Sequence, residues 1–170
     1  MFSSKNLKIC RTGVLLFFVF FNMISSAYAE KIDLWKNYFL GMKFEDAKKI
    51  SPPLVYDGRL PGTQIDMYRY NNINIGDCSA SVKLYFNKNF LTEVSLEAVN
   101  NPQGCIQKWT EALYQKYGKP DFNERYPIRV RLTWNREGKG IAAEAIVLPN
   151  GQMTSSVNYT AGYKDPKADL

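Results

Sequence analysis

The chain has 170 residues, 45% of them apolar and 14% aromatic, with 22 Lys and Arg against 16 Asp and Glu and no histidine. That composition excludes a disordered polar chain and suits one domain with a real core. With no imidazole there is no Ser–His or Cys–His nucleophile and no His-ligated metal, and the sequence gives no sign of a cofactor.

Met1 to Arg11 carries Lys5, Lys8 and Arg11 and no acid. An apolar run of ~11 residues, Val14 to Ile24, follows, and small residues lead to Ala27-Tyr28-Ala29. Basic head, short apolar stretch and A-x-A exit describe a secretory signal peptide. A membrane-spanning helix needs roughly 20 apolar residues. The reading is therefore cleavage between Ala29 and Glu30 and a mature chain in the bacterial periplasm or secreted, with no span after cleavage. The segment takes three of the six net positive charges with it. The remaining +3 gives no argument for a nucleic-acid partner. Cys10 leaves as well, so Cys78 and Cys105 form an even pair in an oxidising compartment, where one disulfide is expected.

Residues 30–40 are an aromatic lead-in, with Trp35, Tyr38 and Phe39, that fits a short helix. Residues 41–50 form a first helix, with Glu45 and Asp46 in its first turn and Lys48 and Lys49 in its last, as the helix dipole favours. Ser51-Pro52-Pro53 ends it. Residues 54–63 read as a loop, since Asp57-Gly58 and Pro61-Gly62 are turn signals. Strands are expected at 64–70, 80–86 and 90–98, the last two as a hairpin around Asn87-Lys88-Asn89. Asn101 and Pro102 open a second helix whose apolar stripe is Ile106, Trp109, Leu113 and Tyr117, and Gly118 and Pro120 close it. Strands follow at 127–135, 141–148 and 152–163, turned by Gly138-Lys139-Gly140 and Asn150-Gly151. Residues 164–170 form a polar, flexible tail.

The expected fold is a two-layer α+β domain over 30–163. Its order is helix, three strands, helix, three strands: an antiparallel sheet of about six strands in two meanders, with both helices on one face. The stretches 41–99 and 101–163 are loosely alike, which leaves an internal duplication open.

No catalytic residue is assigned: Glu45-Asp46 fits a dipole role, and Gly138-Lys139-Gly140 is too short for a phosphate loop. Two surface features remain. Arg129 and Arg131 share a strand face, with Arg125 and Arg136 nearby, and arginines so grouped can grip carboxylate or phosphate. Trp35, and Tyr68 and Tyr70 around Arg69, supply aromatic and arginine side chains of the kind that anchor interfaces.

The run Leu40-Gly41-Met42-Lys43-Phe44-Glu45-Asp46-Ala47-Lys48 resembles the "G-M-(S/T)-x-x-(D/E)-(A/V)" opening of small periplasmic modules. It is shared by the SmpA/OmlA (BamE-like) family and by β-lactamase-inhibitor-like repeats. Leu113-Tyr114-Gln115-Lys116-Tyr117-Gly118-Lys119-Pro120 is similar to their "L-x-x-K-Y-G-x-P" helix exit. The resemblance implies a non-enzymatic binding module with helices on a small antiparallel sheet, and it fixes no functional residue.

The expected function is an exported, non-enzymatic binding protein of the bacterial envelope. Its partner is another envelope protein or an anionic envelope polymer, held on an aromatic and arginine surface. The alternatives are a periplasmic inhibitor or immunity protein, and a histidine-free envelope hydrolase or transferase.

Overall fold

Alternation dominates the chain. Val82, Leu84 and Phe86 are buried while Lys83, Tyr85 and Asn87 are not, the period of a strand with one covered face. The computed structural model describes residues 31–50 and 52–162. The expected signal peptide, the tail 164–170 and the end of the last expected strand, Tyr163, lie outside the described residues.

A two-stranded sheet comes first, β1 (Asp33–Trp35) and β2 (Tyr38–Phe39), followed by helix α1 (Phe44–Ile50). Four strands follow as a meander: β3 (Val55–Arg59), β4 (Ile65–Ile75), β5 (Cys78–Asn87) and β6 (Phe90–Ala98). Helix α2 (Pro102–Tyr117) leads to a second meander of β7 (Phe122–Tyr126), β8 (Arg129–Arg136), β9 (Lys139–Val147) and β10 (Met153–Ala161). The two meanders share one antiparallel eight-stranded sheet in the order β3-β4-β5-β6-β10-β9-β8-β7. Each half is a helix followed by four strands, and the last strands of the halves meet at the centre.

The protein is therefore mostly β, and the expected six-strand sheet with helix, three strands, helix, three strands is overturned by ten strands in two sheets. The differences have local causes. The lead-in is a β-hairpin rather than a helix, turned at Lys36 with φ 50°. The stretch read as a loop contains β3, because Asp57-Gly58 lies in an irregularity of the β3–β4 ladder instead of ending the chain's extension. β4 runs on to Ile75 past a register shift between Tyr70 and Ile73, near Asn72 at φ 64°. β7 (FNERY) lacks an apolar alternation and pairs with β8 around Tyr126↔Arg129. Glu137 and Gly138, at φ 53° and 74°, make the β8–β9 turn, so Lys139 and Gly140 belong to β9. Two successive positive φ values suit a two-residue hairpin.

Both helices lie on one face of the sheet. Over β4–β6, Ala47 of α1 joins Leu34, Tyr38 and Met42 of the lead-in against Val82, Leu84, Phe86, Leu91 and Val94. Over β9 and β10, Trp109 and Leu113 of α2 join Trp134, Ile141, Ala143 and Val157. Trp134 is 0% exposed, and its Nε1–H donates to the carbonyl of Gly118 at 2.9 Å. Burial thus leaves the indole no unsatisfied donor.

Helix α2 starts where its caps dictate. The Gly104 N–H donates to the Asn101 Oδ1 at 3.1 Å, and Pro102 takes the first turn, where its missing N–H costs nothing. A Cβ on Gly104 would lie 2.4 Å from the Asn101 side chain, so a larger residue there would push this capping side chain aside. Ser155 Oγ of β10 donates to the Pro102 carbonyl at 2.8 Å and fastens the helix start to the sheet. Cys105 in the same turn is bonded to Cys78 at the head of β5, with Cα atoms 5.6 Å apart.

That bond closes a separation of 27 residues and ties α2 to the first meander. In the chain-entropy account it contributes about 3.5 kcal/mol. The Cys78→Ser, Cys105→Ser double variant should lose about that much unfolding free energy in urea titrations. The reduced wild-type protein should match the variant, whereas equal stability of oxidised and reduced protein would show that the bond does not brace the fold.

Candidate functional site

The face opposite the helices carries no covering element among the described residues, and its chemistry follows from strand parity. Since Val82 and Leu84 face the helices, Ser81, Lys83 and Tyr85 face the other way. Register carries the assignment across the sheet: Ser81 lies opposite Glu97, Glu97 opposite Ser156, Ser156 opposite Glu144, Glu144 opposite Arg131, and Arg131 opposite Glu124. One row of the sheet is thus polar across six strands. The neighbouring row places Lys83, Ser95, Asn158 and Ala142 in line.

The small side chains of that second row leave a hollow. A cavity of about 430 Å³ opens at the sheet centre, floored by Ser95 and Asn158 and walled by Lys83, Tyr85, Glu93, Glu97 and Glu144. Its charges are organised into pairs. Lys83 Nζ lies 2.9 Å from Glu97 and 3.8 Å from Asp57, and Asp57 also holds Arg69 Nε at 3.1 Å. Arg129 is bonded through Nε to Glu144 Oε1. Burial pushes the Glu93 carboxyl above its ordinary pKa, Arg131 pulls it back, and Glu144 adds to the rise. Burial also pushes the Tyr85 phenol up to about 12, helped by Glu93, Glu97 and Asp57. Tyr85 therefore presents a protonated hydroxyl at neutral pH.

Beside this cavity, at the β7–β8 end, lies a second hollow lined by Glu124, Tyr126, Ile128, Arg129, Arg131 and Ile146. Tyr126 and Ile128 are 57% and 61% exposed. Two large apolar side chains and two arginines meet there on an open sheet face.

Of the residues singled out from the sequence, Arg129 and Arg131 come together on this face. Arg69 shares the face but sits on β4, held by Asp57. Arg125 pairs with Val130 on β7–β8 and points to the helix side. Arg136 is bonded to Asp121 at 2.7 Å. Tyr68 and Tyr70 also point to the helix side. Tyr68 packs on Phe44 at 4.4 Å between ring centroids, and Tyr70 is buried with its phenol pKa raised by burial and by Tyr38. Trp35 stacks on Tyr38 in the lead-in hairpin, with Lys36 Nζ 4.4 Å from its ring. The cluster read around Arg69 therefore splits between the two faces, as any three consecutive strand residues must.

Residues absent from that reading are Tyr85, Glu93, Glu97, Glu144 and Asn158 in the cavity, and Tyr126 and Ile128 at its edge. The signal for three of them was in plain view: Tyr85, Glu93 and Glu97 are the polar half of the two alternations that define the β5–β6 hairpin. Among the described residues no group of three or more His, Cys, Asp and Glu is placed to hold a metal ion.

No protein-family model, curated protein or solved structure matches the chain. The resemblance to SmpA/OmlA and β-lactamase-inhibitor-like modules rests on its two short motifs.

Glu93 gives this face a pH signature. A carboxyl raised by burial costs stability only when ionised. Below the ordinary value of 4.5 both folded and unfolded chains hold it protonated, and the cost grows as pH rises through the folded pKa. Glu93→Gln removes that cost. The variant should match wild type in urea unfolding near about pH 4 and exceed it at about pH 7. A wild type that is the more stable at neutral pH would mean that Arg131 outweighs the burial.

Proposed function

We propose that this is an exported, non-enzymatic binding protein of the bacterial envelope, holding a protein partner against the helix-free sheet face. The observation that carries the reading is the exposure of Tyr126 and Ile128 beside Arg129 and Arg131, on a face with a polar cavity at its centre. Tyrosine and arginine are the residues most often found where interfaces concentrate their binding energy. The polar rows and the cavity offer hydrogen bonds to a partner's backbone and side chains.

The pairing of charges favours a protein over an anionic polymer. Arg129 is already balanced by Glu144 and Lys83 by Glu97, so the face offers mixed signs rather than a cationic stripe. A surface of that kind selects partners by complementary pattern. The basic, apolar and A-x-A segment over residues 1–29 supports export, and so does the Cys78–Cys105 bond, since disulfides persist in oxidising compartments.

A photo-crosslinking residue placed at Tyr126 or Tyr85 should give the same discrete protein adduct in the native host. Placed at Gln115, exposed on α2, it should give none. Once that partner is purified, Tyr126→Ala should weaken its binding by about 2 kcal/mol. The Arg129→Ala, Arg131→Ala double variant should weaken it while remaining folded. Adducts from Gln115 alone, or none from Tyr126 and Tyr85, would refute the assignment of this face.

A further inference from the structure

The helix side of the second half is incompletely filled. Helix α2 lies over β10 and β9, and between it and the outer strands a cavity of about 690 Å³ remains. Its floor is Val130 and Leu132 of β8 with Ala143 and Ala145 of β9, and its helix wall includes Ile106 and Tyr114. Tyr114 and Val130 keep 39% and 38% of their surface exposed. The volume falls within the roughly 300–1,000 Å³ of small-molecule sites, and an apolar lining with few polar groups is their usual make-up.

The first half shows what fills the equivalent strip. There the outer strands β3 and β4 carry Tyr56 and Tyr68, whose ring centroids are 5.4 Å apart, and Phe44 of α1 packs on Tyr68. In the second half the corresponding strands β7 and β8 present Asn123, Arg125, Val130, Leu132 and Trp134 to this side. The aromatic among them, Trp134, is fully buried against Tyr114 of α2 and does not line the outer strip, which stays open.

The same cavity holds an unusual arginine. Arg59, Arg69, Arg129 and Arg136 each bind a carboxylate, and Arg131 acts on Glu93. Arg125, in the cavity lining, has no carboxylate within ion-pair distance among the described residues, and its Nε makes only a long 3.4 Å hydrogen bond to Asn123 Oδ1. Glu111 stands on the helix wall and repels an anion from that side.

We infer that this cavity binds a small amphiphile, with its apolar body on Val130, Leu132 and Ala145 and its anionic head on Arg125. Carboxylate and phosphate heads share the chemistry that a guanidinium recognises. The site lies on the opposite face from the proposed protein-binding surface and does not depend on it.

The test is a titration of methyl-labelled protein with dodecanoate, dodecyl phosphate and dodecanol, followed by NMR. Both anions should shift the methyl signals of Ile106, Val130 and Leu132 saturably, and the tighter one names the head group. Arg125→Ala should weaken the anions about ten-fold or more and leave dodecanol unchanged, and Arg125→Lys should recover part of the loss. Ala145→Phe, which fills the floor, should weaken all three. Methyl shifts confined to Ile128 and other exposed apolar groups would overturn the proposal. So would equal affinity for dodecanoate and dodecanol in both wild type and Arg125→Ala.

Discussion

The pairing of β6 with β10 is the constraint on which the rest of the structure depends. Ser156 to Thr160 run antiparallel to Glu93 to Glu97 without a register shift. On the helix side this pairing sets Val157 against Leu96 and Tyr159 against Val94, which joins the two core clusters. On the other side it sets Ser156 against Glu97 and Asn158 against Ser95, the floor of the candidate site. A one-residue slip would turn every one of these side chains to the opposite face. Core and site are therefore fixed by the same set of backbone hydrogen bonds. The Cys78–Cys105 bond adds a second tie between the halves, close to where α2 begins.

The charge pattern of the open face follows from that register. Glu93 and Glu97 are contributed by the first meander, Glu144, Arg129 and Arg131 by the second, and Lys83 by the strand beside β6. Had the first meander stood alone, Glu93 would lack Arg131 and Glu144 as neighbours. Each meander pairs charges of its own, Arg69–Asp57–Lys83–Glu97 in the first and Arg129–Glu144 in the second, and their junction sets Glu93 beside Arg131 and Glu144 around a hydroxyl and amide floor. Exposed pairs of this kind add little to stability. What they do is hold long side chains in defined positions, so fewer rotamers would have to be frozen on binding at this face.

Much of this was legible in the sequence, and what was missed has physical reasons. The β5–β6 and β9–β10 hairpins declare themselves because apolar residues alternate in β5, β6 and β10, β9 is a short apolar run, and Asn or Gly marks each turn. Helix α2 does so because Asn101, Pro102, Trp109, Leu113 and Gly118 all agree. β3 and β7 are edge strands, each bonded on one side only, and such strands need no apolar face, so Val55-Tyr56-Asp57-Gly58-Arg59 and Phe122-Asn123-Glu124-Arg125-Tyr126 carry no clear period. Missing β7 had a direct consequence for the site. Arg125 could be grouped with Arg129 and Arg131 only while its strand, and so its parity, was unknown. Tyr126 and Ile128, the exposed groups at the β7–β8 end, were hidden for the same reason.

The two halves repeat one topology but finish it differently. The first has a seven-residue helix and closes its helix side with the lead-in hairpin and the Phe44, Tyr56 and Tyr68 rings. The second has a sixteen-residue helix, which reaches far enough to bury Trp134 but leaves the strip over β7 and β8 bare. A longer helix covers more sheet along its own axis and none beside it, so the outer strands must supply their own filling. Tyr56 and Tyr68 do so in one half. In the other, Asn123 and Arg125 cannot, because a polar or charged side chain laid across Val130 and Leu132 would lose its water without gaining a partner. The sheet thus has two unlike faces for a physical reason: one is polar and continuous across the β6–β10 junction, and the other is apolar and closed in only one half.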